Sequence, residues 1–102
     1  MIKATTKRPY DCIRFVPGQG KYIHVLIPTG TYELVRVPTP LTSPCNWLVV
    51  KSEYEQGIYL GGSENSWRQW INGSVGRYGP IDWDDFEIIL EEDGVLMPPL
   101  VD

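Results

Sequence analysis

Three groups of residues in this chain have side chains suited to chemistry. The first is Cys12 with His24, a thiol and the chain's one imidazole. A Cys–His pair can act as nucleophile and base when the two are in hydrogen-bond reach. Alternation along two short strands places them nominally on one face, but no motif frames them. His24 is therefore expected to be a structural histidine making one or two hydrogen bonds.

The second group is acidic: Asp82, Asp84, Asp85, Glu87, Glu91, Glu92 and Asp93. Carboxylates spaced along a rigid surface can imitate a phosphate backbone and compete for Lys/Arg grooves. Trp67, Trp70 and Trp83 accompany them, and Trp is enriched at binding hot spots. The expected site for a basic protein partner is thus Asp82, Trp83, Asp84, Asp85 and Glu87 with Trp67 and Trp70. The competing expectation is a solvated acidic face with tryptophans filling the core. A calcium loop fits poorly, because Phe86 stands where the third ligand belongs.

The third group is basic and aromatic: Arg14, Tyr22, His24, Tyr32 and Arg36. On one sheet face these could stack a base and hold a phosphate, giving a site for an anionic small ligand, a nucleotide or nucleic acid. The alternative is that the chain's own acidic half covers this face.

Charge is divided along the chain. Residues 1–51 carry seven Lys and Arg against two carboxylates, a net of +5, and residues 52–102 carry two Arg against eleven, a net of −9. Their sum is the formal −4. Such asymmetry bears on partners and encounter, not on fold. The two halves could also pair head to tail between copies, so a homo-oligomer and a structural or assembly role belong among the readings.

The elements that would position these groups are short. At 102 residues the chain fits one domain. Nine Pro and ten Gly favour strands and turns over long helices. β-branched and aromatic runs predict a three-strand meander at Tyr10–Val16, Tyr22–Ile27 and Tyr32–Val37. Its turns are Pro17-Gly18-Gln19-Gly20 and Pro28-Thr29-Gly30-Thr31. Ile13, Phe15, Ile23, Val25, Ile27, Val35 and Val37 are expected on the core face. Tyr10, Cys12, Arg14, Tyr22, His24, Leu26, Tyr32, Leu34 and Arg36 take the other.

A loop with three prolines, Pro38 to Pro44, precedes a fourth strand at Asn46–Lys51, with a fifth at Gly57–Leu60. Ser63 is placed to cap the single short helix, which presents Trp67, Trp70 and Ile71 on one face and stops at Gly73. Asp82–Asp85 suggests one helical turn. A strand from Phe86, a turn at Glu92-Asp93-Gly94 and a short strand at Val95–Met97 complete the chain. The expected class is mainly β, bordering on α+β: a small antiparallel sheet or a partly closed barrel.

Several classes are disfavoured. Pro17-Gly18-Gln19-Gly20-Lys21 lacks the spacing and following helix of a phosphate loop. Two cysteines are too few for a disulfide scaffold, and with one His they fall short of a zinc set. No cofactor is expected. No apolar run approaches a membrane span, and no secretory signal is read at the start, which points to the cytoplasm. The expectation is a small non-enzymatic binding protein that inhibits or recruits a basic, possibly nucleic-acid-binding, partner. In size, acidity and lack of motifs it resembles small accessory proteins of bacterial viruses, without shared residues to carry the likeness.

Overall fold

In the computed structural model, eight strands form one antiparallel sheet that does not close. The described residues are 1–40, 45–69 and 88–97. The strands are β1 (Ile2–Thr6), β2 (Tyr10–Phe15), β3 (Tyr22–Ile27), β4 (Gly30–Pro38), β5 (Asn46–Val50), β6 (Tyr59–Ser63), β7 (Ile88–Glu92) and β8 (Val95–Leu96). Two short helices, α1 (Lys51–Tyr54) and α2 (Glu64–Gln69), flank β6. The class is mainly β, as expected. No helix among the described residues is long and apolar enough to cross a membrane.

The sheet order is β3-β2-β6-β5-β4-β1-β7-β8. This order requires strong curling. β1 and β2 lie four places apart, about 19 Å in a flat sheet at the usual strand spacing. The chain from Thr6 to Tyr10 spans at most about 14 Å. β3 and β4, also four places apart, are joined by Pro28 and Thr29 alone. The flanks must therefore fold toward each other. Where β3 crosses to β4 the Tyr32 Oη donates to the Pro28 carbonyl at 2.5 Å, and the Gly30 N–H donates to Thr6 Oγ1 of β1 at 3.1 Å.

This curl corrects the expected meander. β2 and β3 pair as a hairpin, but β4 leaves β3 to pair with β1 and β5. Pro28-Thr29 is a crossing, not a hairpin turn. β1 was not expected, and it is a central strand between β4 and β7.

The expected faces are also corrected. The β2–β3 register sets Tyr10 opposite Ile27, Cys12 opposite Val25 and Arg14 opposite Ile23. Directly opposed residues share a face, and a one-residue change of register reverses every side chain. Ile23, Val25 and Ile27 therefore join Tyr10 and Cys12, while Tyr22, His24 and Leu26 join Ile13 and Phe15. The concave face holds the main core: Ile2, Ala4, Tyr10, Cys12, Ile27, Leu34, Leu48, Val50, Ile88 and Leu90, with Trp67 from α2. A smaller cluster on the convex face groups Val37, Trp47 and Val49 with Ile13, Val35 and Tyr59.

The turns follow residue type. Gln19 N–H donates to the Val16 carbonyl at 3.2 Å across Pro17-Gly18, with Gly18 at φ 91°, as a type II turn requires. Asp93 and Gly94, both at positive φ, join β7 to β8 as a two-residue hairpin loop. Ser63 caps α2 as expected, its Oγ accepting the Ser66 N–H at 3.1 Å.

Candidate functional site

The expected basic-aromatic site does not assemble. Arg14, Tyr32 and Arg36 belong to the concave face, whereas Tyr22 and His24 lie on the convex one. Tyr32 spends its hydroxyl on Pro28. Arg36 is engaged by two carboxylates from the acidic half: Nε and Nη2 donate to Glu64 at 3.1 and 2.9 Å, and Nη1 and Nη2 donate to Glu92 at 3.1 Å. Donating these hydrogen bonds to Glu64 and Glu92 raises the pKa of Arg36, and the bond from Arg36 holds the Glu92 carboxyl below its ordinary range. Lys3 stands between Glu33 and Glu91 in the ladder, and Lys51 Nζ lies 3.5 Å from Glu33. The two oppositely charged halves thus meet inside one domain.

The expected nucleophile pair is likewise divided. Cys12 is on the concave face and His24 on the convex one. Burial, with Asp11 nearby, pushes the Cys12 thiol up to about 12. Both Cys12 and Cys45 are thiols, Cys12 buried and Cys45 half-buried.

Of the partner site read from the sequence, Trp70, Asp82, Trp83, Asp84, Asp85 and Glu87 lie outside the described residues. Trp67 is described, and its assignment to a partner surface is corrected. Its ring is fully buried, stacked on Tyr10 with centroids 4.4 Å apart, and its indole N–H donates to the Leu48 carbonyl at 3.0 Å. It is a core residue because α2 turns its apolar side into the curl of the sheet.

Two surface features remain. One is the sheet edge at β3. Its six residues, Tyr-Ile-His-Val-Leu-Ile, include no Lys, Arg, Asp, Glu or Pro. Tyr22 is 54% exposed, Ile23 53% and Leu26 66%. An edge strand presents unpaired N–H and C=O groups, and native proteins usually blunt it with charge, proline or shortness. The opposite edge, β8, follows that rule with two residues. β3 does not.

The other feature is a cleft of about 300 Å³ that starts at this edge. β2 and β6 pair over Ile13–Phe15 and Tyr59–Gly61. Past Ile13 they part, and the cleft occupies the gap. From the edge inward it meets His24 on β3, Asp11 and Ile13 on β2, Gly61 to Ser63 on β6 and Trp47 on β5. Ser66 of α2 and Tyr10 complete the wall. Trp67, stacked on Tyr10 and bonded to Leu48, fills the concave side of the same gap.

The polar groups of the cleft are few. His24 Nδ1 is 3.5 Å from Asp11 Oδ1, and the Ser63 and Ser66 hydroxyls are 2.8 Å apart. Asp11 and His24 could each ligate a metal, but among the described residues no third ligand joins them. Gly61 lets the strands approach: a Cβ there would fall 2.0 Å from the Leu48 carbonyl oxygen. Of the cleft residues, His24 is the one expected from the sequence to meet a ligand. Asp11 and Trp47 carried no local signal, because only the register brings them beside it.

No family model, curated protein or solved structure matches the chain. Fold and surface define a small, β-rich, single-domain protein in which, among the described residues, no strand pairs with the outer edge of β3.

Proposed function

We propose that this chain is a small non-enzymatic binding protein that takes an extended segment of a basic protein partner onto the free edge of β3. The exposed, uncharged, proline-free edge carries the reading. In such β-strand addition, main-chain hydrogen bonds supply affinity and side-chain contacts supply specificity. The net charge of −4, which comes from residues 52–102 and not from the half that carries β3, favours encounter with a positive partner. The acidic residues Asp82, Asp84, Asp85 and Glu87 add to that attraction, and the outcome for the partner is inhibition or recruitment. The separation of Cys12 from His24 supports a binding role over nucleophilic catalysis.

The test is capture from a lysate of the source cell by the tagged chain and by Ile23→Lys and Leu26→Lys variants. One basic protein is expected in stoichiometric amount with the unaltered chain. Its recovery falls as salt is raised, and it is lost with either variant. Replacing Asp82, Asp84 and Asp85 by Asn weakens capture without unfolding the chain. Undiminished capture by both β3 variants would refute the edge. A concentration-dependent dimer mass that the same variants abolish would assign the edge to a second copy instead.

A further inference from the structure

The convex face carries a third feature, an aromatic row that crosses three strands. Tyr22 on β3 opposes Phe15 on β2, and Phe15 opposes Tyr59 on β6. Directly opposed residues share a face, so the three rings stand in line over two strand spacings, about 10 Å. Tyr54 of α1 extends the row: it meets Tyr59 edge-on at 5.3 Å, and Tyr59 meets Phe15 edge-on at 6.1 Å. Phe15 and Tyr59 are half-buried, whereas Tyr22 and Tyr54 are exposed. We infer that this row is a platform for single-stranded nucleic acid, on which two or three successive bases stack while Lys21 meets a phosphate. The inference is independent of edge docking.

Tyr22 is the anchor. Among the described residues its ring has no aromatic partner and its hydroxyl no hydrogen bond, so nothing holds it in the fold. Stacking of a base on such a ring needs no particular sequence, because every base has a π-face. A duplex hides those faces, and a single strand offers them in succession, as a row of rings on neighbouring strands requires. Charge agrees with this occupant. The β2–β3 hairpin, residues 7–27, carries four Lys and Arg against Asp11, a net of +3. Lys21 precedes Tyr22 directly, exposed and without an ion pair among the described residues. Asp11 is four residues from Phe15 along β2, about 13 Å away. Glu53 and Glu55 stand on either side of Tyr54 at the inner end of the row. The phosphates are therefore placed at the β3 end, where the charge is positive, with the bases running inward from Tyr22.

The probe is a fluorescein-labelled oligothymidylate of about twelve nucleotides, within the span a small β domain covers. It is titrated with the full chain and followed by anisotropy. Saturable binding is expected, weakening about three- to sevenfold between about 50 and 200 mM salt, the scale of one or two phosphate contacts on a single strand. Tyr22→Ala, at an exposed position, weakens binding about fivefold or more, and Tyr22→Phe, which keeps the ring, restores it. Lys21→Ala lessens the salt dependence. An abasic strand of the same length binds about fivefold more weakly or worse. Ile23→Lys and Leu26→Lys, which remove partner capture, keep the row and still bind the strand. No saturable binding at about 50 mM salt, equal binding of the abasic strand, or an unaltered Tyr22→Ala titration would overturn the platform and leave edge docking standing.

Discussion

Removal of the Trp67 ring is the sharpest test of how this fold is held. The ring is fully buried, stacks on Tyr10 and donates its N–H to the Leu48 carbonyl. It ties α2 to β2 and β5 across the gap where β2 and β6 part. Trp67→Ala loses about 3–5 kcal/mol in transfer and cavity energy. The unanswered Leu48 carbonyl adds about 1 kcal/mol. A chain of this length has a total stability of about 5–15 kcal/mol, so the variant stands near the threshold of folding. Trp67→Phe keeps most of the ring and loses the hydrogen bond, so about 1–2 kcal/mol is expected. Urea unfolding followed by far-ultraviolet circular dichroism reads both. With a slope of about 1–2 kcal/mol per M, the alanine midpoint drops by about 2–6 M and the phenylalanine midpoint by about 0.5–2 M. An alanine variant within about 1 kcal/mol of the unaltered chain would refute the assignment of Trp67 to the core and return it to the surface.

Gly61→Ala forces a Cβ to within 2.0 Å of the Leu48 carbonyl oxygen, so β5 and β6 must separate at a cost of about 1–3 kcal/mol. Gly62→Ala meets nothing closer than Ser66 Cβ at 3.9 Å and is expected to be neutral or to stabilise by under about 1 kcal/mol, both readable in the same urea assay. Glu92 is held below its ordinary range by Arg36, so its contribution to stability is present above the ordinary glutamate pKa of about 4.3 and is lost as pH falls through the lower folded value. Arg36→Met should flatten that acid-side loss, as urea midpoints between about pH 6 and pH 3 would show, and an unchanged slope would exclude the bridge. A thiol reagent near neutral pH should label one cysteine, Cys45, in the native chain and Cys12 only after denaturation, counted by mass spectrometry.

Local features were legible in the sequence, and long-range pairing was not. β3 appears at its expected bounds because Tyr22 to Ile27 is an unbroken run of strand formers between glycine-bearing turns. The turns at Pro17-Gly18 and Asp93-Gly94 and the Ser63 cap follow from residue type alone. β1 escaped notice because Ile2 and Ala4 are its only apolar residues, and it becomes a strand by pairing on both sides. α1 escaped because four residues after β5 carry no apolar period. The faces of β2 and β3 were exchanged because parity across a six-residue loop is set by register, which alternation within a strand does not reveal. Arg36 was legible as a charged residue on a mixed face. Its partners, 28 and 56 residues away, became visible only with the curl of the sheet.

That curl also decides which surface is left for others. The charge asymmetry of the sequence suggested two exposed poles. Instead Arg36 is held by Glu64 and Glu92, Lys51 by Glu33, and Lys3 lies between Glu33 and Glu91. Three basic residues of the first half, Lys3, Arg36 and Lys51, thereby face carboxylates across the curled sheet, while Arg14 and Lys21 stay on the β2–β3 side of it. Negative charge limits association between copies and favours approach by a positive chain. At the end of that approach lies β3, long for an edge and without the lysine or proline that normally deters pairing. Among the described residues nothing pairs with that edge, which is why the proposed docking of an extended segment is placed there.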